Sequence, residues 1–289
     1  MKRRDFIKFM AATMAATVVS SELLASCTTE KGKKRLVFFF TGSGNSLYAA
    51  KQFSDKPISI PQALKSDNLV FEADEIGIVY PVYAHTPPGI VRNFLEKATL
   101  KAPYKFAIAT FGKRKCNSVE ILDHIASKAG VKFDYITTIN MVDNFLVGFD
   151  MNEEIKLDKH EDEQLAQAVA DVNEQKHWYQ PFSEEEKQLH IERFGDNYDA
   201  RMTMNSRGAF RIDKDLCVGC GFCTKVCPHK NYKFSSQGIT TDGDCEMCFS
   251  CVHNCPQKAI KLTMQEVNPN ARYRHPKITI NEIVNANIQ

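Results

Sequence analysis

Two stretches of the chain read Cys217-Val-Gly-Cys220-Gly-Phe-Cys223-Thr-Lys-Val-Cys227-Pro228 and Cys245-Glu-Met-Cys248-Phe-Ser-Cys251-Val-His-Asn-Cys255-Pro256. The spacing is the same in both: three cysteines two residues apart, a fourth three residues later, then proline. Three thiolates so spaced point at three irons from one tight loop, which suits a cuboidal 4Fe-4S cluster. A zinc site needs four ligands, usually as two Cys-x-x-Cys pairs, and leaves the third and fourth cysteines of each run unexplained. A disulfide framework agrees with an even count of eight, but gives no reason for one spacing to occur twice. The pattern therefore favours two clusters.

The run resembles that of two-cluster bacterial ferredoxins, in which the fourth cysteine ligates the other cluster. The resemblance implies that Cys217, Cys220, Cys223 and Cys255 hold one cluster. Cys245, Cys248, Cys251 and Cys227 then hold the second. Both lie in a small α+β ferredoxin domain at residues 207–264.

The chain's 289 residues suffice for two domains, each with its own core. Its first residues are of another kind. Lys2, Arg3, Arg4, Phe6, Ile7 and Lys8 form a basic segment, followed by an uncharged stretch from Phe9 to Ser21 that is too short to span a membrane. Leu24-Ala25-Ser26-Cys27 follows. Residues 1–26 resemble a twin-arginine (Tat) export signal joined to a lipoprotein cleavage site. The resemblance implies export in the folded, cofactor-loaded state and lipidation of Cys27. The mature chain is then held on the periplasmic side of a membrane in the cell envelope, with 27–34 as tether. Without residues 1–26 the formal charge falls from +2 to zero, so nothing argues for nucleic acid.

Within a first domain expected over residues 35–180, residues 35–140 alternate strand and helix patterns. Arg35–Phe40 is a continuous apolar run, as in a strand buried on both faces. Further strands are expected at Ile58–Ile60, Glu75–Val82, Tyr104–Phe111 and Phe133–Met141, with helices at Pro88–Lys97 and Ser118–Gly130. This is an α/β pattern with a parallel sheet. Glu161–Ala170 reads as a covering helix, with Trp178 and Pro181 as breakers. A linker (181–206) contains a helix at Ser183–Arg193, where Ser183 and Glu186 are spaced as a capping box. Residues 265–289 form a C-terminal tail.

After the first strand, Thr41-Gly42-Ser43-Gly44-Asn45-Ser46 opens a helix. Two glycines, three hydroxyls and a helix N-terminus make a phosphate cradle without a cation. The third glycine of a dinucleotide fingerprint is Leu47 here, and the Gly-Lys pair of a Walker loop is absent. A side chain at Gly44 is expected to intrude into the phosphate space.

Phe40–Ser46 resembles the FMN phosphate loop of flavodoxins. Tyr80-Pro-Val-Tyr-Ala84, Pro87–Phe94, Ala109–Gly112, Met141–Phe145 and Arg272–Pro276 resemble proteins that fuse a flavodoxin-like domain to a two-cluster ferredoxin. The resemblance implies a doubly wound, five-stranded parallel sheet. It also implies FMN held by Thr41, Ser43, Gly44, Asn45 and Ser46 at the phosphate, by Tyr83 and Ala84 on one side of the ring, and by Thr110, Phe111 and Gly112 on the other, with Asn117 nearby. Lys113-Arg-Lys115-Cys116 departs from that pattern and reads as a solvated loop. Cys116 and His85 read as filler and incidental. No catalytic constellation stands out.

The sequence thus points to a membrane-tethered electron carrier between two 4Fe-4S clusters and FMN, whose partners are redox proteins or a small acceptor. One alternative is a reductase of a small acceptor such as a quinone. Another is a scaffold or maturation factor with an empty flavin pocket.

Overall fold

The computed structural model describes residues 27–28, 32–200, 204–236 and 238–287; the stretch expected to be an export signal, residues 1–26 with Arg3 and Arg4, lies outside them. In the first unit the strands are β1 (Cys27–Thr28), β2 (Lys34–Phe39), β3 (Ile58–Ser59), β4 (Val70–Glu72), β5 (Glu75–Pro81), β6 (Thr99–Lys101), β7 (Tyr104–Phe111), β8 (Tyr135–Asn140) and β9 (Trp178–Tyr179). Six of them pair in parallel in the order β3-β2-β5-β7-β8-β9. β1 adds antiparallel to β2, and β4 with β6 forms a separate two-stranded ladder.

The apolar runs become central strands because both faces are covered. Val37 and Phe39 of β2 face one core with Leu47, Leu165 and Val172, on helices Asn45–Lys51 and Glu161–Asn173. Leu36 and Phe38 face the other with Phe94 and Leu122, on helices Gly89–Lys97 and Ser118–Lys128.

The sheet has two more strands than the five expected, the antiparallel β1 and the parallel edge strand β9. Trp178 does not break the chain into a linker. Its amide donates to Asp134 O, Gln180 N donates to Ile136 O, and the Gln180 Oε1 accepts from the Thr138 amide and hydroxyl. A two-residue strand carries no periodicity of its own, so only these edge bonds reveal it. Ser183 caps helix Glu184–Phe194 as a capping box, with both reciprocal bonds formed.

The second unit contains three antiparallel pairs: Met204–Asn205 with Asp244–Cys245, Phe210–Ile212 with Ile260–Leu262, and Tyr232–Ser235 with Gly238–Thr241. Short helices Phe222–Val226 and Ser250–His253 follow the cysteine loops. Contrary to expectation, the unit has no core of its own. Phe210, Val226, Phe249, Val252 and Leu262 belong to the same apolar cluster as Val37 and Phe39. The tail also returns to the sheet, where helix Ile280–Asn287 buries Ile283 and Ala286 in that cluster. Among the described residues no helix is long and apolar enough to cross a membrane.

Candidate functional site

The cysteines gather in two pockets. Cys217, Cys220, Cys223 and Cys255 line one with Ile212, Val218 and Ile260; Cys245, Cys248, Cys251 and Cys227 line the other with Phe210, Tyr232 and Phe249. The fourth cysteine of each run thus sits with the first three of the other. None of the nine cysteines from Cys116 to Cys255 is disulfide-bonded.

Several sulfurs receive N–H or O–H donors: Asn231 N on Cys227 (3.5 Å), Met247 N on Cys245 (3.3 Å), Ala259 N on Cys255 (3.3 Å) and the Tyr232 hydroxyl on Cys251 (3.1 Å). Such bonds to cluster sulfurs are one of the levers on potential. Burial, aided by Cys220 and Cys255, pushes the Cys223 thiol up to about 12. Burial lifts Cys245 to about 11, and Cys248 and Cys251 well above the ordinary thiol range. Thiols so placed need a cation such as iron to hold them as thiolates.

Beside the second pocket lies a cavity of about 460 Å³, within the range typical of small-molecule sites. It opens at the carboxyl ends of β2, β5 and β7, near the point where the strand order reverses, which is where ligands bind in open α/β sheets. One end carries the hydroxyls of Thr41, Ser43, Ser46 and Thr110; aromatic rings of Tyr83, Phe111, Phe145, Phe149, Phe194 and Phe249 line the remainder. The hydroxyl end is ordered by its own bonds: Gly44 N to Thr41 Oγ1 (3.0 Å), Ser46 Oγ to Thr110 Oγ1 (2.8 Å) and Asn144 Nδ2 to Ser43 Oγ (2.5 Å). Burial, then the neighbouring Cys248, Glu246 and Cys245, raises the Tyr83 phenol, which keeps its proton.

Of the residues expected at a flavin, Thr41, Ser43, Asn45, Ser46, Tyr83, Ala84, Thr110, Phe111 and Gly112 line this cavity. Two do not. Asn117 is fully buried and donates to Glu120 and the Tyr198 hydroxyl instead. At Gly44 (φ +107°) a Cβ would lie 3.0 Å from His275 Cβ and 3.2 Å from Ile278 Cβ, so a side chain there meets the tail rather than the phosphate space. The tail buckles this loop: His275 N donates to Ser43 O, Tyr273 Oη donates to Asn45 Oδ1, and the His275 ring stacks on Tyr48 at 4.2 Å.

Gly42 is the glycine that a close approach requires. A Cβ there would lie 2.3 Å from the carbonyl oxygen of Cys248, so the loop at the end of β2 touches the second cysteine loop backbone to backbone. His253 ties the second cysteine run to the segment after β8 and to the tail: its Nε2 bonds Asn144 O (3.0 Å) and its Nδ1 accepts from Tyr273 N (3.1 Å). The cavity's lower wall, Glu246, Met247 and Phe249, belongs to the second cysteine run. Sequence reading missed this wall because it is 200 residues away along the chain; the aromatic Phe145, stacked on Phe249 at 6.0 Å, already stood in the quoted Met141–Phe145 stretch.

The cationic loop is partly drawn in: Lys113 and Arg114 line the cavity, whereas Lys115 pairs with Glu186 at 3.2 Å. His85 also lines it. Its Nε2 lies 3.4 Å from Cys116 Sγ and its Nδ1 3.4 Å from His190 Nδ1. Burial, then His190, Arg193 and Arg114, lowers its pKa to about 4, so the ring is neutral at pH 7.

Residues 209–256 match the 4Fe-4S dicluster domain. The chain is 36% identical to a ferredoxin from Pyrobaculum islandicum over 63 residues, which are 21% of this chain and 58% of that one. It is 30% identical to a ferredoxin from Thermococcus litoralis over 54 residues, 18% of this chain and 92% of that one. A solved structure from Bacteroides uniformis, described as a flavoprotein, aligns with 37% of this chain and 90% of its own at 17% identity and a TM-score of 0.30. Two pockets of four cysteines inside the dicluster match, and the alignment that covers 92% of the Thermococcus litoralis ferredoxin at 30% identity, place the chain, through its C-terminal unit, in the 4Fe-4S ferredoxin family.

Proposed function

We propose that the protein carries electrons between two 4Fe-4S clusters and one FMN. In this reading Cys217, Cys220, Cys223 and Cys255 hold an outer cluster, and Cys245, Cys248, Cys251 and Cys227 an inner one. The observation that carries it is the shared wall: the loop of the inner cysteines lines the same cavity as Thr41–Ser46 and touches Gly42 through the Cys248 carbonyl. The donor set also suits FMN, with hydroxyls at one end and flat aromatic surface beyond.

When bound, FMN holds one or two electrons and so joins single-electron carriers to paired-electron chemistry. The chain's own residues supply the setting. Thr41, Ser43, Ser46 and the free first-turn amides of helix Asn45–Lys51 hold a terminal phosphate. Tyr83, Ala84, Phe111 and Gly112 hold the flat ring. Phe145 and Phe249 keep water from the inner cluster's side, while Lys113 and Arg114 favour negative charge in the cavity. A second reading, two-electron reduction of a small acceptor such as a quinone, draws on the same two cations and is tested by turnover with that acceptor.

We also propose that the protein leaves the cytoplasm folded by the twin-arginine route and is tethered at the membrane through lipidated Cys27. The signal-like residues Arg3, Arg4 and Leu24–Cys27 support this. Changing Arg3 and Arg4 to Lys then strands loaded precursor inside the cell, and normal export of that variant defeats the assignment. For the cofactors, the test is anaerobic purification with iron and released flavin counted. About eight iron per chain is the two-cluster value; protein that carries its iron but neither retains nor rebinds FMN ends the flavin half of this reading.

A further inference from the structure

The outer cysteine pocket meets solvent through apolar side chains. Leu216, Val218 and Phe234 are 42%, 60% and 63% exposed. Leu216 and Val218 flank Cys217, and Val218 lines the pocket itself. Phe234 lies against Gly219, where a Cβ would sit 3.3 Å from its ring. Lys214 stands three residues before Cys217, Lys225 between Cys223 and Cys227, and Lys258 three residues after Cys255. All three are exposed, and among the described residues none forms an ion pair. Of the two nearby acids, Asp213 accepts from the amides of Asp215 and Leu216, and Asp215 is exposed beside Lys214, which leaves the three lysines in excess.

We propose that this patch is the docking surface for an acidic electron-carrier protein, which exchanges electrons with the cluster of Cys217, Cys220, Cys223 and Cys255. The proposal rests on the two-cluster assignment and not on FMN. Large apolar side chains grouped in the open mark interaction sites, and here they stand at the mouth of a pocket in which Cys217, Cys220 and Cys255 are all only partly buried. Cys248, Cys251 and Cys227 of the inner set are buried, under the cavity and the sheet domain.

The unpaired ammonium groups select the sign of the partner. Opposite charge speeds encounter and aligns the two surfaces, while like charge rejects wrong partners. A second copy of this chain would set lysines against lysines across a two-fold axis. An anionic membrane satisfies the charges but would seal the cluster away from any partner. The transfer is balanced: the partner's centre loses one electron, the outer cluster gains it, and no bond or proton changes hands.

The test uses the full, anaerobically loaded protein in stopped flow, with a reduced acidic 2Fe-2S ferredoxin as donor probe and dithionite as a small reductant. The second-order rate with the ferredoxin should fall about tenfold or more from low to high salt. It should fall again by about tenfold in a Lys214→Glu, Lys225→Glu, Lys258→Glu variant, and in a separate Phe234→Ser variant at high salt. Dithionite reduction and iron content report the clusters independently, so loss of iron in wild type defeats the two-cluster reading and not merely the docking one. Unchanged ferredoxin rates in both iron-replete variants overturn the proposal. So does charge reversal that leaves those rates intact while abolishing binding to phosphatidylglycerol vesicles, since the patch would then face a membrane.

Discussion

The two cysteine runs have the same spacing and the same local path but different work to do. Both loops pass twice through the left-handed region, at the second and fourth positions after the first cysteine. In the outer run those positions are Gly219 and Gly221, with φ of +68° and +75°; in the inner run they are Met247 and Phe249, with φ of +53° and +55°. Glycine takes this conformation freely, whereas other residues take it at a cost of roughly 1–2 kcal/mol each. Such strain persists where surrounding structure over-determines it. At the inner run the compensation is visible, because Phe249 is 4% exposed and stacked on Phe145, and Met247 and Phe249 form the cavity's lower wall. One repeated motif has been specialised into a solvent-facing loop and a loop that builds a second site.

Removing the crossed cysteines gives the largest effect. Cys227→Ala should strip the inner cluster, with about four of about eight iron atoms. Cys255→Ala should strip the outer one. Only the first should also loosen the cavity, since Cys227 shares its pocket with Glu246 and Phe249, which wall the cavity, and Cys255 does not. Paramagnetic resonance with iron counting separates the two, and loss confined to the outer cluster in Cys227→Ala would show that the pockets are not loaded as they are grouped.

Next in size is the contact between the units. Gly42→Val places a side chain against the backbone oxygen of Cys248, which cannot rotate aside. Overpacking of this kind costs about 1–3 kcal/mol or more. The expected result is loss of FMN together with damage to the inner cluster, while the outer cluster survives. Gly44→Val, which meets His275 and Ile278 instead, should free the tail and weaken FMN with all iron retained. Equal iron content in both variants would mean that the Gly42 contact does not couple the two sites.

What the sequence disclosed follows from the range of the forces involved. β2, β5, β7 and β8 were legible because apolar runs report burial on two faces locally, and the capping box because Ser183 and Glu186 are three residues apart. The repeated spacing announced two sets of cysteines, while their crossed grouping came from the resemblance to two-cluster ferredoxins. β9 was hidden, since Trp178–Tyr179 is defined only by its bonds to β8. The shared core, the contact of Gly42 with Cys248 and the placement of Gly44 beneath the tail depend on packing between distant segments. So does the contact of His85 with His190 and Cys116.

Acid should act on the cavity side and not on the outer loop. Desolvation, with His190, Arg193 and Arg114 facing it, holds His85 at about 4 against 6.5 for a free imidazole. Above pH 6.5 both folded and unfolded chains keep it neutral. Between 6.5 and about 4 the unfolded chain takes up a proton that the folded one refuses, so stability falls as pH falls and levels off below about 4. The full difference is at most about 3 kcal/mol. His85→Gln should flatten this part of the pH profile, read from urea midpoints of anaerobic protein. An unaltered slope would assign the acid sensitivity elsewhere.

The smallest effect goes to the heart of the comparison between the loops. Met247→Gly gives the inner run the backbone chemistry of the outer one at the position of Gly219. It relieves a left-handed residue worth roughly 1–2 kcal/mol, and gives back about 0.5–1 kcal/mol because glycine is freer in the unfolded chain. Loss of a half-buried thioether removes some apolar contact as well, so the net change in stability should stay within about 1 kcal/mol of zero. The cavity, however, loses part of its lower wall. Met247→Gly should therefore keep all its iron and nearly all its stability while holding FMN more weakly, read as flavin retained after gel filtration. Tight flavin in that variant would show that the side chain at 247 is not what the strained backbone is kept for. A stability loss well beyond 1 kcal/mol would show that Met247 serves the core rather than the cavity.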